Sequence, residues 1–257
     1  MNIKSWIAHF ERNRLDRIEP DWTAHFSMSE GKRAALARSL AEYQLGDGGG
    51  ECKLVAHDAE AFRSSGEDMD RLVDLWFAEE REHYRLLSHA VKRVAGTPVT
   101  DSFAMRLFYG CRRALGVDFE LLVLLVVEIV STGYYRVIRK YVGDDPIAAM
   151  CQLILRDEAR HIDFHRDRLT AGMPAGPSLP WSLKFRFLGE ACAWFLWVGK
   201  NGHCLRTLGC PRGEFFHHVR SGLANLLAEV ATATGRKVAF GTAASDGGLS
   251  SRAHPVH

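Results

Sequence analysis

Three Glu-x-x-His patterns occur in the chain: Glu80…His83, Glu158…His161 and Glu214…His217. Residues three apart on a helix share a face, so each pattern can turn a carboxylate and an imidazole toward one metal ion. The spacing alone is weak. With 16 Glu and 12 His in 257 residues, slightly fewer than one such pattern is expected by chance, and any one of them could be a solvated helix face. Glu128 supplies context. It is the only polar residue in the run 121–130, which is apolar on every side and therefore reads as a buried helix. An ionised carboxylate there is costly unless it finds an arginine, takes up a proton or binds a metal.

Spacing adds a constraint. Two antiparallel helices joined by a tight turn bring level those residues that are equidistant from the turn. Glu128 and Glu158 are equidistant from Gly143, in the turn signal Gly143-Asp144-Asp145-Pro146. Glu51 and Glu80 are equidistant from the Ser65–Gly66 junction, inside the turn signal Ser64-Ser65-Gly66. The chain thus reads as two copies of Glu, turn, Glu-x-x-His. Glu214…His217 has no such partner and is assigned to surface or packing. Glu51 follows three glycines, so Asp47 and Glu42 compete with it as the first carboxylate. Six inward residues, Glu51, Glu80, His83, Glu128, Glu158 and His161, would then meet in a four-helix core, the arrangement of di-metal carboxylate bundles. Oxygen-rich ligation with only two imidazoles favours iron or manganese over zinc or copper.

The elements needed to position these residues are all helical. Apolar periodicity predicts helices over 3–18, from Ser29 through Tyr43, over 51–62, 68–94 and 102–140 with a break near Gly116, then 146–170, 181–199 and 212–232. No convincing strand is found, so the fold class is all-α. The expected organisation is an N-terminal helical extension (1–28), a four-helix bundle (29–172), C-terminal helices packed on it (173–234) and a flexible tail (235–257).

Residues 40–165 resemble the ferritin-like di-iron carboxylate superfamily. Glu79-Glu80-Arg81-Glu82-His83 and Asp157-Glu158-Ala159-Arg160-His161 are similar to the paired motifs of acyl carrier protein desaturases and bacterial multicomponent monooxygenases. The ribonucleotide reductase small subunit is a more distant likeness. The resemblance implies that Glu80 and Glu158 bridge or cap two metals, that His83 and His161 ligate one each, and that Asp157 accepts a proton from His83 and fixes its ring. His165, one turn past His161, is an outer hydrogen-bonding partner or, as in the N-oxygenase branch, an extra ligand. Tyr135, two turns beyond Glu128, is a redox tyrosine, a pocket wall or simply a core residue. Trp76 is expected in the core.

The implied function is O2-dependent oxidation, as a hydroxylase, N-oxygenase or desaturase, of a small or lipid-like substrate. Electrons would come from a separate donor protein, because the chain has no G-x-G-x-x-G motif and no iron–sulfur cysteine set. The alternatives are a ferroxidase, iron-storage or peroxide-detoxifying protein, and a scaffold that has lost its metal. About 85 residues follow position 172, more than a storage bundle needs, and 181–232 are available to cover a pocket, dock a partner or form a homodimer interface. Composition narrows the remaining classes. Lys plus Arg (33) nearly cancels Asp plus Glu (31), which gives no electrostatic footprint for nucleic acid. No run is apolar enough to span a bilayer. Six cysteines without a C-x-x-C pair exclude zinc ribbons and rubredoxin-type sites. A terminus without an apolar signal points to the cytoplasm.

Overall fold

The computed structural model describes residues 2–47, 66–99, 117–173 and 176–235. Among them are eight helices and no strand: α1 (Ile3–Leu15), α2 (Glu30–Asp47), α3 (Glu67–Arg93), α4 (Val117–Tyr141), α5 (Asp145–Gly172), α6 (Leu179–Val198), α7 (Lys200–Leu208) and α8 (Arg212–Ala233). The expected helix at 51–62, and with it Glu51, lies outside the described residues. So do 100–116, where a break near Gly116 was expected.

The α4–α5 hairpin is the backbone of the fold. Gly143 sits at φ +64°, in the left-handed region that glycine adopts without strain. Asp144 then caps α5, its carboxylate accepting from the Ile147 amide at 3.1 Å, with Pro146 in the first turn. Asp144 is buried and meets Arg93, from the end of α3, through two guanidinium nitrogens at 2.9–3.1 Å. The same guanidinium donates to the carbonyls of Trp22 and His25. One side chain therefore pins the end of α3 and the 16–29 segment to the α4–α5 turn.

Helices α2 and α3 lie side by side, α3 touches α5, and α5 runs along α4. The circuit closes through a tyrosine cluster. Tyr43 of α2 stacks on Tyr134 of α4 at 3.9 Å, with Tyr135 edge-on to both. Ser39 donates to Asn201 Oδ1 at 2.7 Å, so the Tyr134 hydroxyl is the donor in its 2.6 Å bond to Ser39. Burial raises the Tyr134 pKa well above its ordinary value. The C-terminal helices α6 and α8 pack on α4, and α8 also reaches α5. Gly222 of α8 makes a close approach possible: a Cβ there would stand 2.8 Å from a methyl of Ile129, next to Glu128. No helix among the described residues is long and apolar enough to cross a membrane.

Candidate metal centre

Helical periodicity brings Glu79, His83, Leu86, Leu87 and Ala90 to the inner face of α3, and Ile154, Asp157, Glu158, His161 and His165 to that of α5. The Arg93–Asp144 clamp sets their level. Glu80 is 13 residues before Arg93 and Glu158 is 14 residues after Asp144, about 20 Å along each helix at 1.5 Å per residue. The two motifs therefore face each other.

Their contacts are mirrored. His83 Nε2 lies 3.0 Å from Asp157 Oδ2, and His161 Nε2 lies 2.9 Å from Glu79 Oε2. A carboxylate only accepts, so both Nε2 atoms carry hydrogen and each neutral ring keeps its lone pair on Nδ1. These two Nδ1 atoms point at the same pair of carboxylates. Glu80 places Oε1 at 3.3 Å from His161 Nδ1 and Oε2 at 3.9 Å from His83 Nδ1. Glu158 places Oε2 at 3.7 Å from His161 Nδ1 and Oε1 at 3.8 Å from His83 Nδ1. Each glutamate thus turns one oxygen toward each histidine.

Glu128 joins from α4. One ligand atom each from Glu128, Glu158 and His161 lie within 4.8 Å of one another. His165 faces Glu128, with Nε2 3.4 Å from Oε1, while its Nδ1 is 3.1 Å from Arg168. Tyr135 belongs to the tyrosine cluster and is fully buried. Glu42 is engaged by Lys200 at 2.8 Å. Asp47 ends α2, and its side chain lies outside the described residues. Glu214 bonds Lys140 and Tyr141, and His217 is exposed, so the third pattern stands apart from the cluster. Trp76 is partly buried and stacks on the His161 ring at 3.9 Å, with Phe164 beside it.

Neither a family model, nor a curated protein, nor a solved structure matches the chain. The chemistry of the cluster is read from its own atoms. Both oxygens of Glu128, Oε2 of Glu158, Nδ1 of His83 and of His161 and Nε2 of His165 are buried without a hydrogen-bond partner. Buried polar atoms left unsatisfied are rare and costly, and the mutual approach of Glu128, Glu158 and His161 among them fits a cation. Formal charge agrees. With neutral imidazoles, the carboxylates of Glu79, Glu80, Glu128, Asp157 and Glu158 outnumber the nearby guanidiniums of Arg17 and Arg156, an excess of negative charge that suits cations.

Protons respond to the same field. Burial disfavours the charged form of His83, but the Asp157 hydrogen bond and the charges of Glu80, Asp157 and Glu158 outweigh it and raise its pKa to about 9. His161 is raised well above the ordinary histidine value, with Glu158, Glu79 and Glu80 overcoming the same burial. Burial likewise opposes ionisation of Asp157, yet His83, Arg17 and Asn13 lower its pKa strongly, and His161 does so for Glu79.

Three contributors have no role assigned by the motifs. Glu79 does for His161 what Asp157 does for His83, and its signal was its position: each stands just before the motif glutamate. Asn13 and Arg17 come from the N-terminal segment. Asn13 donates its amide to Asp157 at 2.8 Å and to Glu79, and Arg17 lies 2.8 Å from Asp157 and 4.0 Å from Glu79.

Proposed function

We propose that the chain is a ferritin-like four-helix bundle that holds two iron ions and acts as an O2-dependent oxidoreductase of the hydroxylase, N-oxygenase or desaturase type. Glu80 and Glu158 would serve both metals, His83 and His161 one each, and Glu128 a terminal position. A further carboxylate would come from Glu51, with Asp47 the competitor. The observation that carries this reading is the mirrored one: two glutamates, each with an oxygen toward each of two histidine lone pairs. An oxygen-dominated donor set of this kind suits iron or manganese. When bound, such a pair of metals supplies the reduction of O2 and the oxidation of a substrate C–H or N–H bond.

The chain's own residues supply what the metals do not. Asp157 and Glu79 hold the Nε2 hydrogens and so keep both Nδ1 lone pairs turned inward. Trp76 and Phe10 pack against His161, with Phe164 behind Trp76, and keep water from its fully buried ring. His165, with its unpartnered Nε2 beside Glu128, can hold a proton at the edge of the cluster. A separate donor protein would provide electrons.

The test is metal content. Anaerobic reconstitution with ferrous iron should load about two ions per chain, and exposure to O2 should consume the gas without accumulating mineral. A protein that takes up no iron would sink the reading. A many-subunit cage that stores iron would replace it with the storage alternative.

A further inference from the structure

We propose that Asn13 is a positioning residue shared by both metal positions, and that through it the N-terminal helix α1 is coupled to metal binding. This rests on the di-metal reading above. Asn13 lies in the last turn of α1 between the exposed Arg12 and Arg14, yet it is itself buried. A buried amide must find partners. Here both partners are carboxylate oxygens, Asp157 Oδ1 at 2.8 Å and Glu79 Oε1, so the nitrogen, not the amide oxygen, faces them, and its two hydrogens serve one carboxylate each.

The other oxygen of each carboxylate takes a histidine Nε2 hydrogen. An unbroken chain therefore runs His83–Asp157–Asn13–Glu79–His161. It crosses from α3 to α5, to α1, back to α3 and again to α5. Asn13 is its midpoint and the only member that serves both halves. Arg17 stands beside it and supplies positive charge to the same two carboxylates. No common substitute fits this geometry. Aspartate would add a third anion, leucine of similar size would remove both donors, and glutamine would push the amide one methylene too far.

The coupling to α1 follows from where that helix is anchored, against the same two helices that carry the paired motifs. Ile7 and Phe10 join Leu72 in a small apolar cluster separate from the main core, with Trp6 donating to Asp167 at 3.2 Å. Phe10 also touches the His161 and Trp76 rings. Metals that fix His83 and His161 therefore fix the carboxylates that hold Asn13. By linkage, a docked α1 favours metal to the same degree.

The experiment is anaerobic Co(II) titration of the full chain against a chelator, followed by the visible absorption of each bound ion, for wild type, Asn13→Leu, Asn13→Gln and Asp157→Ala. Outer hydrogen-bond partners of metal-bound histidines typically contribute 10–100-fold in affinity. The expected result is that Asn13→Leu weakens both binding steps by about 10-fold or more with unchanged helicity. Asp157→Ala should weaken mainly one step, and Asn13→Gln should recover part of the loss. Hydrogen exchange on the wild-type protein gives a reading that needs no variant: Co(II) should protect the amides of 3–15. Wild type that binds two ions while Asn13→Leu binds them equally well, or loses only one, overturns the proposal and leaves the di-metal reading standing. So does unchanged exchange in 3–15. Wild type that binds no Co(II) overturns both.

Discussion

A histidine can offer either ring nitrogen to a metal, and here a carboxylate from the opposite helix makes the choice. Asp157 does it for His83 and Glu79 for His161, at nearly the same distance. If the two halves are equivalent, Glu79→Ala and Asp157→Ala should each lower affinity for one of two metal ions by about 10–100-fold, with circular dichroism nearly unchanged. Calorimetric titration would read this directly, and a silent Glu79→Ala beside a damaging Asp157→Ala would break the symmetry. The asymmetry of what the sequence revealed is instructive. The contact between Asp157 and His83 was expected from a resemblance, whereas Glu79, at the matching position, was passed over although the same logic applies to it. Asn13 and Arg17 were beyond reach. They are more than 60 residues from Glu79, and no periodicity within a helix reports on a contact between helices so far apart in the chain.

Among elements, the decisive contact is between a helix end and a turn. Arg93 and Asp144 have side chains only 6% and 2% exposed, and they are held by paired hydrogen bonds. Removing one member of a buried pair typically costs about 3–5 kcal/mol, because the other charge stays buried and unpaired. Arg93→Ala should therefore lower stability by about that much in urea unfolding, a large share of what a domain of this kind has to lose. It should also weaken metal binding, because the clamp fixes where α3 stands against α5. Unfolding at the wild-type denaturant midpoint would count against it. The turn itself was legible: Gly143-Asp144-Asp145-Pro146 announces a break and a restart, and the helix before it ends, and the helix after it begins and ends, within two residues of expectation. The clamp was not, since nothing in the sequence tells one of many arginines that its partner caps the next hairpin. Residues 200–208 were also missed as a separate helix. Gly202 explains the corner there: a Cβ would overlap the Trp197 carbonyl, 1.8 Å away, so a short helix packs back at once in a stretch expected only to connect two others.

For the molecule as a whole, the di-metal proposal predicts that the pH dependence of stability differs with and without metal. Stripped of metal by chelation, the fold is stabilised by protons on its histidines. The His83 pKa is raised from 6.5 to about 9, so its contribution is fully present below pH 6.5 and is lost as pH rises through about 9. Asp157, with its pKa lowered from 3.8, contributes above that value and loses its contribution as pH falls below it. The stripped protein should therefore be most stable between about pH 4 and 6.5 and lose on the order of 5–10 °C in Tm by pH 9. Metal requires the same Nδ1 atoms to be free of protons. Loading should then raise Tm little at pH 5.5 and most at pH 8, where a ligand at about 100 times its Kd adds about 2.7 kcal/mol. Calorimetry of stripped and Co(II)-loaded protein across pH 5–9 measures both curves. Parallel curves would mean that the buried histidines and carboxylates titrate without competing for metal, and that the cluster serves the core alone.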